Sequence, residues 1–251
     1  LSLTAATVAG WDQDKQDTYI EIAVSAGNRA LELNESSDIA LSGMGLVNWN
    51  KGNWEQSLNL LEQATELSKD SNPLYFRGLV LQSLGYISEA RKWLEKAEQL
   101  DPVYAQLQFY LGSNAMLRED HDAARRYYQH ADEGNNPNGV TGLVRLELRL
   151  GNQQAAIRTI NEMINTGTLG GVNATPQNLE DVISAIEDPG IAYEIMSARL
   201  DRDLVLWSEY FEIDALVMKT LNRIYAEGKM LSIGLWLGGA LWGSEYSELR
   251  A

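Results

Sequence analysis

The sequence predicts an all-α protein: an α-solenoid of antiparallel helical hairpins with degenerate capping hairpins at both ends. Three observations lead there. Small residues return in register with a period of about 34: Ser57, Ala90, Ala124 and Ala156 stand 33, 34 and 32 residues apart. Turn-formers fall at the same place in every period. The composition, 45% hydrophobic and 22% charged, is that of a chain able to bury a core rather than of a disordered one.

Four segments carry the repeat: Asp38 to Leu67, Ser71 to Pro102, Ala105 to Pro137 and Gly139 to Ile164. Gly45, Gly78 and Gly112 lie midway along each first helix, where a second helix must come close, and the larger Val144 follows as the fourth. In the second helices, Ser57, Ala90, Ala124 and Ala156 make one column, and Ala64, Ala97, Ala131 and Met163 make another. Large apolar residues fill the slots between them: Leu61, Leu94, Tyr128 and Ile160. Gly52-Asn53, Gly85, Glu119-Asp120 and Gly151-Asn152 separate first from second helices. Asp101-Pro102 and Asn136-Pro137 end second helices, because the residue before a proline is pushed out of the helical region.

The flanks extend the array. Tyr19 to Asn34 has Ala23, Gly27, Ala30 and Leu33 at second-helix spacing, and its partner first helix is expected within Leu3 to Gln16. Residues 1–37 are thus expected to form a truncated or irregular leading repeat, and residues 38–165 four repeats. The Gly/Thr/Asn-rich stretch 166–176 is expected to be a loop. Residues 177–251 are expected to form degenerate hairpins and a cap, with helices over Gln177 to Ile186, Ile191 to Leu200, Asp203 to Tyr210 and Ile213 to Glu227. Such end hairpins cover the apolar face of the last good repeat, since each repeat buries its core only against neighbours.

The chemistry is sparse. A formal net charge of −15 repels phosphate backbones, so direct nucleic-acid binding is not expected. The absence of cysteine removes disulfides, thiolate catalysis and cysteine-based zinc sites. His121 and His130 are nine residues apart, not the three or four that would put two ligands on one helical face, so no metal is expected. Arg118 to Arg126 is a charged turn with helix-stabilising pairs such as Asp122 with Arg126. Leu169 to Thr175 has glycines but lacks the lysine of a phosphate loop. Glu187-Asp188 and Asp201 to Asp203 lack the register of a calcium loop. No catalytic residue and no cofactor is therefore expected. The chain begins at Leu1 with no signal-like segment, as a fragment or processed product would. Its longest uncharged apolar run, Leu231 to Ser244, has 14 residues, too few for a membrane span. Trp54 and Trp93 are expected in core or outer-face packing, and Trp207, Trp236 and Trp242 in the C-terminal cap. These last three could also line an apolar small-molecule pocket between the repeats and the C-terminal hairpins.

The repeated pattern, above all "GLVLQSLGYISEARKWLEKAEQLDP" (Gly78 to Pro102), resembles the tetratricopeptide repeat (TPR) family over residues 38–165. The resemblance implies a right-handed superhelix whose first helices line a concave surface, and a protein or peptide partner; a homodimer is also compatible with it. By the family's pattern the groove positions are Ser42, Leu46 and Trp49; Tyr75, Leu79 and Gln82; Phe109, Ser113 and Met116; and Thr141, Arg145 and Leu148. This lining is aromatic and apolar with one cation, and suits an extended or helical peptide with hydrophobic anchors. It departs from the subclass that clamps a C-terminal carboxylate with Lys and Asn, since Ser42, Leu46, Tyr75 and Leu79 stand at those places.

The end of the chain, Asp214 to Ala251, is similar to the close of the TPR module in bacterial multidomain signalling proteins. There a winged-helix (ToxR-like) or nucleotide-cyclase domain precedes the array. Such arrays finish with a Trp, an aromatic residue and Leu-Arg, matched here by Trp242, Tyr246, Leu249 and Arg250. A short Pro-Arg-Phe-like element that follows in the family is not reached. The likeness implies a non-catalytic sensory or regulatory module, periplasmic if its parent is a winged-helix membrane regulator and cytoplasmic otherwise.

Overall fold

The computed structural model describes residues 1–10, 15–167 and 175–187. Among the described residues there are eleven α-helices and no strand, in agreement with the all-α hairpin class. The chain divides into two compact units, Leu1–Pro102 and Val103–Ala251.

The first unit holds α1 (Ser2–Ala9), α2 (Gln16–Leu33), α3 (Asp38–Asn50), α4 (Trp54–Leu67), α5 (Ser71–Ser83) and α6 (Ile87–Leu100). Consecutive helices pair as hairpins, and α3 also packs on α1 and α5, so first helices form one layer. The missing side chains set the spacing. A Cβ added at Gly45 would lie 2.8 Å from Leu61 Cγ, and one at Gly78 would lie 2.8 Å from Leu94 Cγ. Leu61 and Leu94 are fully enclosed, as are Ser57, Ala90, Ala64 and Ala97. Each buried leucine contributes about 1.5–3 kcal/mol. The leading hairpin is tied in by polar bonds to the backbone. Ser2 Oγ donates to the Ala23 carbonyl at 2.8 Å, and Asn50 Nδ2 to the Ala6 carbonyl at 2.9 Å. Its first helix, expected within Leu3 to Gln16, is the short α1; α2 starts three residues before Tyr19.

The second unit holds α7 (Ala105–Leu117), α8 (His121–Glu133), α9 (Asn138–Arg149), α10 (Gln153–Thr166) and α11 (Pro176–Glu187). Here α9 packs on α7, α8 and α10, and α11 packs on α10. The slot filled by leucine in the first unit is filled by Tyr128, itself fully buried. A Cβ at Gly112 would come 2.6 Å from its ring, and one at Gly142 would collide with the same ring. Val144 and Ile160, also fully buried, continue the pattern. Helix α10 runs through Thr166 and stops at Gly167, whose φ of 72° is left-handed; residues 168–174 of the expected loop lie outside the described residues. Helix α11 covers the expected Gln177 to Ile186 segment and buries Leu179 and Val182. The helices expected beyond residue 188 lie outside the described residues.

One turn recurs in both units. In the hairpins α3–α4, α5–α6, α7–α8 and α9–α10 the residue after the first helix's cap has positive φ: Gly52 (76°), Gly85 (84°), Glu119 (61°) and Gly151 (76°). The following N–H reaches back five residues: Asn53 to Asn48, Tyr86 to Leu81, Asp120 to Ala115 and Asn152 to Glu147, all at 2.8–2.9 Å. This Schellman geometry satisfies carbonyls that the helix end would otherwise leave bare. It also aims every second helix the same way, which brings the small-residue columns into contact.

Candidate functional site

The twelve groove positions divide between the units, six in each, and are unequally open. In the first unit, Ser42 and Leu46 of α3 and Tyr75, Leu79 and Gln82 of α5 are buried. Tyr75 packs against Phe76 with the rings tilted by 49° and their centroids 4.8 Å apart. Trp49 is half-buried. Its indole Nε1, like the hydroxyl of Ser42, is shielded from water and has no hydrogen-bond partner among the described residues.

In the second unit Met116 and Thr141 are buried, whereas Phe109, Ser113, Arg145 and Leu148 are partly open. Phe109 packs on Tyr128, centroids 5.8 Å apart, and edge-on to Tyr110 at 5.3 Å. The Tyr128 hydroxyl lies 3.3 Å from Ser113 Oγ and 3.9 Å from Met116 Sδ. Burial pushes the Tyr128 phenol above its ordinary value, more than the nearby Arg145 charge, the Ser113 hydrogen bond and the Arg149 charge lower it. Tyr128 thus joins the core to the polar positions of the first-helix face.

Outside these faces several charged residues form structural pairs. Arg125 of α8 bonds Glu147 of α9, which also accepts from Asn152 Nδ2 at 2.8 Å. Burial alone would raise the Glu147 carboxyl. The hydrogen bonds from Arg125 and Asn152, with the charges of Arg125 and Arg158, outweigh it and hold the group below its usual range. The pairs around the Arg118 to Arg126 turn are therefore Arg125 with Glu147 and Arg118 with Asp120 (3.9 Å), rather than Asp122 with Arg126. In the first unit Arg77 and Lys96 each lie over the half-buried Trp93 ring, at 4.1 and 4.2 Å from its centroid, and Arg77 also pairs with Glu62 at 2.8 Å. Among the described residues no group of acidic residues and histidines could hold a metal ion, and no helix is long and apolar enough to cross a membrane. Trp207, Trp236 and Trp242, proposed above for a small-molecule pocket, lie outside the described residues.

Two features escaped sequence reading. The Arg77–Trp93–Lys96 cluster had a partial signal in the Trp93/Lys96 spacing, but Arg77 comes from another helix. The polar reach of Tyr128 had its signal in Gly142, a second glycine that opens room around one slot.

The family model of the tetratricopeptide repeat matches residues 72–104, which span α5 and α6. Among solved structures the chain is similar to MamA, at 17% identity over 59% of this chain and 88% of that one, with a TM-score of 0.48. It is also similar to YrrB, described as a TPR protein with an unusual peptide-binding site, at 19% identity over 65% and 84%, with a TM-score of 0.47. The APC/C hetero-tetramer Cut9–Hcn1 aligns over 88% of this chain and 39% of its own, at 17% identity and a TM-score of 0.56, a likeness of fold. The search of curated proteins gives no match.

Proposed function

We propose that this chain, a tetratricopeptide-repeat protein by its matched unit and the fold of its hairpins, is a non-catalytic module that binds a protein or peptide segment on its first-helix faces. The observation that supports this most is at α3. Trp49, at a groove position on α3, is half-buried, so part of it stays open to a partner. The open part of Trp49 can anchor an apolar side chain of a bound segment, and tryptophan is among the residues that dominate interfaces.

Panning a displayed library of random short peptides on the full chain tests this. Recovered peptides should bind the Trp49→Ala variant about tenfold more weakly, while Trp49→Phe, which keeps the ring, should lose less. Recovery of no peptide above background refutes peptide binding. Equal affinity for parent and Trp49→Ala removes α3 from the site.

As to context, the module is read as the sensory or regulatory part of a bacterial signalling or transcription regulator. Support comes from the likeness at Trp242, Tyr246, Leu249 and Arg250, which lie outside the described residues. The coding sequence preceding Leu1 is expected to encode a winged helix with a membrane span, or a nucleotide cyclase. Any other upstream domain refutes it.

A further inference from the structure

Resting on the peptide-binding reading, we infer that the first-helix face of the second unit takes an acidic side chain, Asp or Glu, that the bound segment carries next to an aromatic or aliphatic residue. The inference starts from Arg145. Among the described residues, three of the four other half-buried arginines, Arg77, Arg118 and Arg125, have a carboxylate: Glu62, Asp120 and Glu147. Arg145 is half-buried on α9, yet among the described residues no acidic group pairs with it. A partly desolvated guanidinium left unpaired is costly, and a carboxylate from outside relieves that cost through a charge-assisted, often bidentate bond.

The surroundings define the rest of the occupant. Helix α9 packs on α7, which carries the partly open Phe109 and Ser113, and Leu148 lies nearly one turn beyond Arg145 on α9. An apolar side chain meets Phe109 and Leu148 while its acidic neighbour meets Arg145. In a chain of net charge −15, such a cationic spot is the place where an acidic segment is attracted rather than repelled. Ser113 already receives the Tyr128 hydroxyl and donates to the Phe109 carbonyl at 3.1 Å, so Arg145 is the group that selects charge.

The test uses the full chain and the peptides recovered by the panning above, resynthesised with amidated C-termini. Their consensus should pair Asp or Glu with an apolar residue. Replacing that acid by its amide should weaken binding about tenfold, Arg145→Glu should do the same, and Arg145→Glu should bind a Lys-substituted peptide better than the parent chain does. Unchanged thermal melting of Arg145→Glu confirms that the fold is kept. Peptides that bind and depend on Trp49, yet carry no acid and ignore Arg145, overturn this inference and leave peptide binding standing. Dependence on a free C-terminal carboxylate overturns it as well. So does a concentration-dependent dimer that Arg145→Glu dissociates, because the occupant is then a second copy.

Discussion

Hairpin α5–α6 in the first unit and hairpin α7–α8 in the second follow the same rules with different residues. In α5–α6, Gly78 faces Leu94 and the turn is made by Gly85. In α7–α8, Gly112 faces Tyr128, and the non-glycine Glu119 takes the left-handed turn position. Both second helices keep their alanine columns fully buried. The backbone is thus set by small residues and turns, while the large slot is free to vary. Where it varies to tyrosine, a hydroxyl reaches the first-helix side and meets Ser113. The departure from the repeat coincides with the polar part of the candidate site.

The sharpest way to break the comparison is to attack what the hairpins share. Ala90→Glu and Ala124→Glu each force an unpaired carboxylate into a contact with no solvent exposure. Each should cost at least about 4 kcal/mol, read as the shift of urea denaturation followed by helical circular dichroism. Similar losses at both sites support equivalent columns. A variant that melts like the parent would show that its alanine does not sit beneath the first helix.

The columns were legible because a close helix crossing is a local demand: only Gly, Ala or Ser fits, and the demand returns with each repeat. Openness of the groove was not legible. Ser42, Tyr75 and Leu79 are buried while Phe109 and Arg145, at corresponding repeat positions, are partly open. That difference depends on what packs over each face, which a repeat's own residues do not specify. The charged turn shows the same limit. Sequence spacing suggested Asp122 with Arg126, but α8 packs on α9, and Arg125 reaches Glu147 across that contact.

The next test separates the hairpins at the slot where they differ. Tyr128→Leu leaves empty the room that Gly112 and Gly142 provide and should cost about 2–4 kcal/mol. Tyr128→Phe keeps the ring, loses the bond to Ser113 and should cost about 1 kcal/mol. The phenol also makes stability depend on pH. Its folded value is raised above the ordinary 10.0, so between the two the native chain holds a proton that the unfolded chain has released. Its contribution is intact below pH 10 and is lost as pH climbs through the raised folded value. Urea midpoints measured on both sides of that window should fall more for the parent than for Tyr128→Phe. Parallel falls would mean that the Tyr128 hydroxyl reaches solvent.

The smallest effect belongs to the turn. Glu119 adopts a φ of 61°, a conformation that costs an ordinary residue about 1–2 kcal/mol, whereas glycine adopts it freely. Glycine loses about 0.5–1 kcal/mol more chain entropy on folding. The Glu119 side chain is exposed and makes no hydrogen bond or ion pair among the described residues, so little else changes. Glu119→Gly should therefore stabilise the second unit by about 0.5 kcal/mol, and Gly85→Glu should destabilise the first by about 1 kcal/mol. Opposite signs at equivalent positions are what a shared turn requires. If Glu119→Gly lowers the urea midpoint, the strained residue contributes through its side chain, and the two turns are not the same device.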